Sequence, residues 1–181
     1  MIHIKMPLTE ETILRLKAGD MVELSGTVYS ARDATHKKFF DALENHEAMP
    51  FDIEGQVIYY MGPTPSPPGK IIGAAGPTTS SRMDSYTPRL LELGLKGMIG
   101  KGKRSMEVRE SIVKNKAVYF VAIGGAGALA AKRIRKSQLI AYPELGPEAL
   151  YKLEMDRFPL IVANDSSGND IFELARKELN R

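Results

Sequence analysis

"AVYFVAI", residues 117–123, is the stretch on which the reading of the fold turns. It is a continuous apolar run rich in β-branched and aromatic side chains, with no polar position to face water. Such a run describes a strand covered on both faces. It enters Gly124-Gly125-Ala126-Gly127 and then an alanine-rich helical stretch, so a buried strand, a turn of small residues and a helix follow one another.

The same alternation appears on either side. His3 to Lys5 reads as a short strand, and Thr9 caps a helical turn carrying Ile13, Leu14 and Leu16 that Gly19-Asp20 ends. Met21 to Ala31 alternates as a strand, with Val22, Leu24, Gly26, Val28 and Ser30 on one face and Glu23, Ser25, Thr27 and Tyr29 on the other. Asp33 reads as the N-cap of a helix with the apolar stripe Phe39, Phe40, Leu43. Gln56 to Met61 is a strand closed by the proline-rich loop 62–69, and Lys70 to Ala74 is a second short strand. Thr87-Pro88 starts a helix by threonine capping and Gly94 stops it. Lys96 to Gly100 is a brief strand, and Ser105 caps a helix through Lys114. Strands at Gln138–Ala141 and Phe158–Ala163, the turn Asp165–Asn169 and a terminal helix complete the chain. The expected class is α/β with a largely buried central sheet, as a single domain spanning 1–181.

Composition narrows the chemistry. With 181 residues, 43% of them hydrophobic, the chain is long enough for one domain with a substantial core. No cysteine is present, which excludes disulfides, thiolate nucleophiles and iron–sulfur ligation by this chain. The start of the chain lacks the pattern of a signal peptide and no apolar run approaches the ~20 residues of a membrane span, so the expected location is cytoplasmic, with no membrane partner. The 25 basic and 22 acidic residues give a net charge of only +3. Nucleic-acid binding would need clustering, and the two basic clusters, Lys101, Lys103, Arg104 and Lys132, Arg133, Arg135, Lys136, lack interleaved aromatics. The second cluster reads as the solvated last turn of a helix.

Four features carry candidate chemistry. Gly125-x-Gly127-x-x-Ala130 after an apolar strand has the shape of a dinucleotide fingerprint, with Glu144 near the ribose-acid distance. The bland reading of the same residues is a tight turn whose small side chains permit close packing. "GPTTSSRMD", residues 76–84, sets Thr78, Thr79, Ser80 and Ser81 ahead of Arg82. Turn capping uses one or two of these hydroxyls and has no need of the guanidinium, which suits bidentate capture of a carboxylate or phosphate. Internal pairing of Arg82 with Asp84 is the structural alternative. Arg32 and Lys101 likewise stand just past strand ends, where ligands collect in α/β sheets, and three such cations suit a small dianion. His36 is either a proton shuttle or a packed helix residue.

The segments "SGTVYSARDATHKKF", "GPTTSSRMDSYTPRLLELGLKGMIGKG", "VAIGGAGALAAKRI" and "AYPELGPEAL" resemble the β subunit, or C-terminal domain, of iron–sulfur class I fumarate hydratases and their tartrate dehydratase relatives. The resemblance runs from about Gly19 to Phe172, and its motifs are the arginine-aspartate-x-x-histidine segment, the glycine-proline-threonine-threonine loop and the glycine-lysine-glycine turn, in order. Ser81 departs from it, standing where many members carry glycine. The resemblance implies a swivelling β/β/α domain with a largely buried central mixed sheet, closing over a [4Fe–4S] cluster held by a partner α subunit in a hetero-oligomer. It implies reversible hydration of fumarate to malate, with tartrate dehydration as the alternative. Arg32, Thr79, Arg82 and Lys101 would bind the dicarboxylate, Thr78 would remove the C3 proton or only orient a water, and Asp33, His36 and Asp84 would support them. A nucleotide-binding regulatory module, resting on "GGAGALAA", is the rival of another class. An RNA-binding domain, resting on the basic clusters, ranks last.

Overall fold

The computed structural model describes residues 1–122 and 127–179. Its seven described strands belong to one mixed sheet: β1 (Ile2–Lys5), β2 (Met21–Ser30), β3 (Val57–Tyr59), β4 (Gly97–Gly100), β5 (Val118–Val121), β6 (Ile134–Ala141) and β7 (Leu150–Asn164). Strands β2, β3, β4 and β5 pair in parallel. The long β7 then pairs antiparallel with both β5 and β2, which closes the sheet on itself. β1 extends the circuit beside β2, and β6 beside the first half of β7. An α/β fold with a mixed buried sheet is thus what the chain adopts, closed where an open sheet serves as the usual model for ligand sites at strand ends.

Closure explains the fold-deciding run. Val118 and Phe120 point into the interior with Val22, Leu24, Val28, Tyr59, Leu160 and Val162. Tyr119 points outward, into a second core with Ile58, Tyr60 and Met98. Helices α2 (Asp33–Glu44), α3 (Thr87–Glu92) and α4 (Met106–Lys114) contribute Phe39, Leu90 and Ile112 to that outer core. Ile13 and Leu16, in and just after α1 (Glu10–Arg15), and Ala130 of α5 (Gly127–Arg133) join the inner core. α6 (Ile171–Leu179) ends the described chain. Val118, Tyr119 and Phe120 are all fully buried, and each burial stabilises the fold by roughly 1.5–3 kcal/mol.

Several local expectations need correction. Lys70–Ala74 is not a strand, because its backbone is satisfied within the proline loop: Thr64 N donates to the Ala74 carbonyl, and Ala74 N donates to Thr64 Oγ1. Phe158–Ala163 is only the end of the 15-residue β7, whose strand pattern is interrupted by Arg157 (φ 52°) and Pro159. There the β2–β7 register shifts between Leu24 and Gly26. Gly26 itself has φ 112°, and a Cβ on it would sit 2.9 Å from Met6 Cβ, so the crossing requires glycine. The N-cap of α2 is Arg32 rather than Asp33. Thr87 lies inside α3 and donates its hydroxyl to the Met83 carbonyl instead of capping. Of the second basic cluster, Lys132 and Arg133 end α5 as expected, while Arg135 and Lys136 belong to β6. Thr9 and Ser105 cap α1 and α4 as their sequence positions predict. No helix among the described residues is long and apolar enough to cross a membrane.

Candidate active site

The polar stretch 76–84 is built into the end of the sheet. The chain leaves β3, makes the proline loop and returns at Thr78, whose N–H donates to the Tyr60 carbonyl at 2.7 Å. Lys101 N donates to the Thr78 carbonyl at 3.3 Å, and Ser80 N donates to the Lys101 carbonyl at 3.0 Å. Thr79 and Lys101 therefore pair in parallel just past β4, and a 3₁₀ turn over Ser80–Met83 presents Arg82. The approach is close: a Cβ at Gly100 would lie 1.9 Å from the buried Ser80 Oγ, so β4 ends in glycine for steric reasons. Tyr119, from the fold-deciding strand, donates its hydroxyl to Ser80 Oγ at 2.8 Å and ties this turn to the core.

Arg32 and Asp33 arrive from the neighbouring strand end. Ala31 N donates to the Tyr59 carbonyl, so β2 stays beside β3 until Arg32 begins α2. Arg82 Nε donates to Asp33 Oδ1 at 3.0 Å, joining the two segments. Arg32, Asp33, Thr78, Thr79, Arg82 and Lys101 thus share the carboxyl-terminal edge of β2, β3 and β4. Thr79, Arg82 and Lys101 are exposed, and Arg32 and Thr78 half-buried. Ser81, the departure from the resembled pattern, is exposed on the 3₁₀ turn. Thr78 Oγ1 has no hydrogen-bond partner among the described residues. A cleft of about 430 Å³ lies elsewhere, between loop 67–74, α5 and β6, and none of these six residues lines it.

Asp84 does not pair with Arg82. Its carboxylate accepts from Arg104 Nε and from Ser105 N, both at 2.7 Å. Arg104 stands in the basic cluster Lys101, Lys103, Arg104, yet its side chain is wholly buried. It donates to Thr87 Oγ1 at 2.7 Å and lies over the rings of Tyr60 and Tyr119, 5.3 and 4.9 Å from their centroids. Burial opposes its charge, but Tyr60, Asp84 and Tyr119 outweigh that and raise its pKa. Nothing in "GKGKRS" distinguishes Arg104 from Lys101 or Lys103; its position directly before the capping Ser105 is the one local cue.

His36 is a packed residue. It is fully buried among Phe39, Tyr60 and Tyr86, and its Nδ1–H donates to the Arg32 carbonyl at 2.7 Å. Burial is the main cause that pushes its pKa down to about 4, so the ring is neutral at physiological pH. The unfolded chain regains the ordinary value near 6.5, so it binds a proton that the folded chain does not between those two values. Stability is therefore full above about pH 6.5 and falls as the pH drops toward 4, by a contribution on the order of 3 kcal/mol. Urea unfolding at pH 7.5 and pH 4.5 should show this loss in the natural chain and a smaller one in His36→Phe. Equal losses in both would remove His36 as the cause.

Of the "GGAGALAA" motif, Gly124, Gly125 and Ala126 lie outside the described residues. Gly127 is described, and it serves close packing: Ala75 N donates to its carbonyl, and a Cβ on it would lie 3.2 Å from Gly76 N. Glu144 pairs with Lys38 at 3.2 Å, and hydrogen bonds from its own backbone and from Lys38 hold its pKa down.

A model of the "Fumarase C-terminus" family matches residues 1–175. The chain is similar to "Fumarate hydratase class I, aerobic" of Escherichia coli K12, 40% identical over 154 residues that cover 84% of this chain and 28% of that protein. It is similar to "Fumarate hydratase 2" of Leishmania major, 35% identical over 94% of this chain and 31% of that protein. A protein of Methanocaldococcus jannaschii with the provisional name L(+)-tartrate dehydratase subunit beta is 36% identical over 95% of this chain and 91% of its own length. The chain thus spans under a third of the two fumarate hydratases and most of the third relative. With the family model covering nearly every residue and these identities beside it, this chain belongs to the fumarase C-terminus family.

Proposed function

We infer that this chain is the substrate-binding β subunit of a hydro-lyase that interconverts fumarate and malate. The observation that carries the reading is the meeting of Arg32, Arg82 and Lys101 with Thr78 and Thr79 at one edge of the sheet. Three cations beside free hydroxyls match a small dianion, because guanidinium and ammonium groups bind carboxylates through short charge-assisted hydrogen bonds. Hydration of fumarate adds hydroxide at C2 and a proton at C3. In the malate-to-fumarate direction, Thr78 Oγ1 takes the C3 proton, after its own proton has passed to a basic group on the α subunit; the C–H electron pair forms the C2–C3 double bond and hydroxide leaves C2, so that malate gives fumarate and water.

The chain has no cysteine, and among the described residues no group of three side chains could hold a metal ion. Its donor set does not fit a [4Fe–4S] cluster, so in this reading the cluster belongs to the α subunit. The tartrate dehydratase relative supports a second substrate, since tartrate is also a four-carbon dianion.

Co-expression with an α subunit, anaerobic cluster reconstitution and assay on fumarate, malate and tartrate tests the reading. Turnover of fumarate and malate is expected. Turnover of tartrate alone would replace the substrate, and inactivity on all three together with saturable NAD or ATP binding would favour the nucleotide-binding rival.

A further inference from the structure

Both arginines of the candidate site turn the same atom, Nε, toward a carboxylate. Arg82 donates its Nε to Asp33 Oδ1 at 3.0 Å, and its terminal nitrogens have no hydrogen-bond partner among the described residues. Arg32 Nε lies 3.8 Å from Glu148 Oε1, beyond hydrogen-bond range, and each of these two atoms is buried with no other partner. A desolvated cation edge and a desolvated carboxylate oxygen left facing one another compensate each other's lost hydration by their attraction. The terminal nitrogens of Arg32 likewise have no hydrogen-bond partner among the described residues.

Glu148 is held in place by the fold. It ends the 3₁₀ turn Pro143–Glu148, which is strapped to α2 twice. The Thr35 hydroxyl donates to the Glu148 carbonyl, and Lys38 pairs with Glu144. Arg32 is confined from the other side, since a Cβ on Gly62 would sit 2.9 Å from its Nη1 and 3.1 Å from the Pro147 carbonyl.

We propose that Glu148 and Asp33 are positioning residues, which hold Arg32 and Arg82 by Nε so that the paired terminal nitrogens of each stay free to take a substrate carboxylate. The proposal rests on the dicarboxylate reading above. A guanidinium fork binds a carboxylate bidentately only if its plane is set beforehand, and fixing it at Nε removes rotamer freedom that binding would otherwise have to restrict. Glu148 lies in the segment "AYPELGPEAL", more than 100 residues from Arg32 in sequence.

The test is steady-state kinetics of the assembled enzyme, with the melting temperature of each variant measured alongside. Glu148→Ala should raise KM for fumarate and malate about 10- to 100-fold while kcat moves by less than about threefold. Glu148→Gln, which keeps the shape and an acceptor oxygen, should give a smaller rise. Asp33→Asn, which weakens the hold on Arg82 Nε and leaves Arg32 and Glu148 untouched, should also raise KM with little change in kcat, and it decides the question if Glu148→Ala fails to assemble. If Arg32→Ala and Arg82→Ala raise KM but the Glu148 and Asp33 variants do not, the positioning proposal is overturned. If Arg32→Ala itself leaves KM unchanged, it is the dicarboxylate reading that fails.

Discussion

Thr78→Ala in the assembled enzyme should lower kcat by about 10²- to 10⁴-fold, the usual contribution of a positioned acid or base, with KM nearly unchanged. The substitution is clean because both hydrogen bonds that fix Thr78 in the sheet are made by its backbone, to Tyr60 and from Lys101. Removing the hydroxyl therefore leaves the path of the chain intact. Oγ1 has no partner among the described residues, so its loss strands no buried group in this chain. Thr78→Ser, which keeps the hydroxyl, should retain most of the turnover. A kcat equal to that of the natural enzyme would take Thr78 out of the mechanism. Equal losses from alanine and serine would point to shape rather than proton transfer.

The largest effect on stability is expected at Asp84. Asp84→Ala leaves the wholly buried guanidinium of Arg104 without its anion and Ser105 N without its acceptor. Removing one partner of a buried ion pair destabilises by about 3–5 kcal/mol, a large share of a domain's total. Urea unfolding of the isolated chain measures it. Combining Asp84→Ala with Arg104→Met should destabilise by less than the sum of the two single changes, since the apolar side chain leaves no stranded charge. Strict additivity would mean that the pair is not coupled. The site would feel the same loss, because this pair and the Tyr119–Ser80 bond anchor the segment between Thr78 and Asp84.

The features of the fold that are readable in the sequence are those set by local physics. "AVYFVAI" announces a strand covered on both faces because it has no charged or alternating polar position to turn toward water, and the caps at Thr9 and Ser105 follow from hydroxyls placed before helical periods. Closure was not readable. It depends on β7 pairing with residues about 130 positions away, across a strand whose own pattern is broken by Arg157 and Pro159. In the candidate site, the positions of Arg32, Thr78, Thr79, Arg82 and Lys101 just past strand ends were legible from where the strands stop, whereas their meeting at one edge depends on which strands lie side by side. The burial of Arg104 and the facing of Arg32 by Glu148 were not legible, since whether a charged residue is exposed or set against a distant partner is decided by tertiary packing. Asp84 showed the same limit from the other side: proximity in sequence suggested Arg82, and the fold paired it with Arg104.

The central claim is that the cations at the edge of β2, β3 and β4 bind a small dicarboxylate. Its most direct measurement is the KM for fumarate of the assembled enzyme carrying Arg32→Ala, Arg82→Ala or Lys101→Ala, compared with Lys70→Ala and Lys132→Ala, whose cations line the separate cleft. Each of the first three should raise KM about 10- to 100-fold, as loss of a hydrogen bond between charged groups does, while the last two leave it unchanged. A KM that is the same in all five variants, or that rises only when Lys70 or Lys132 is removed, would contradict the account.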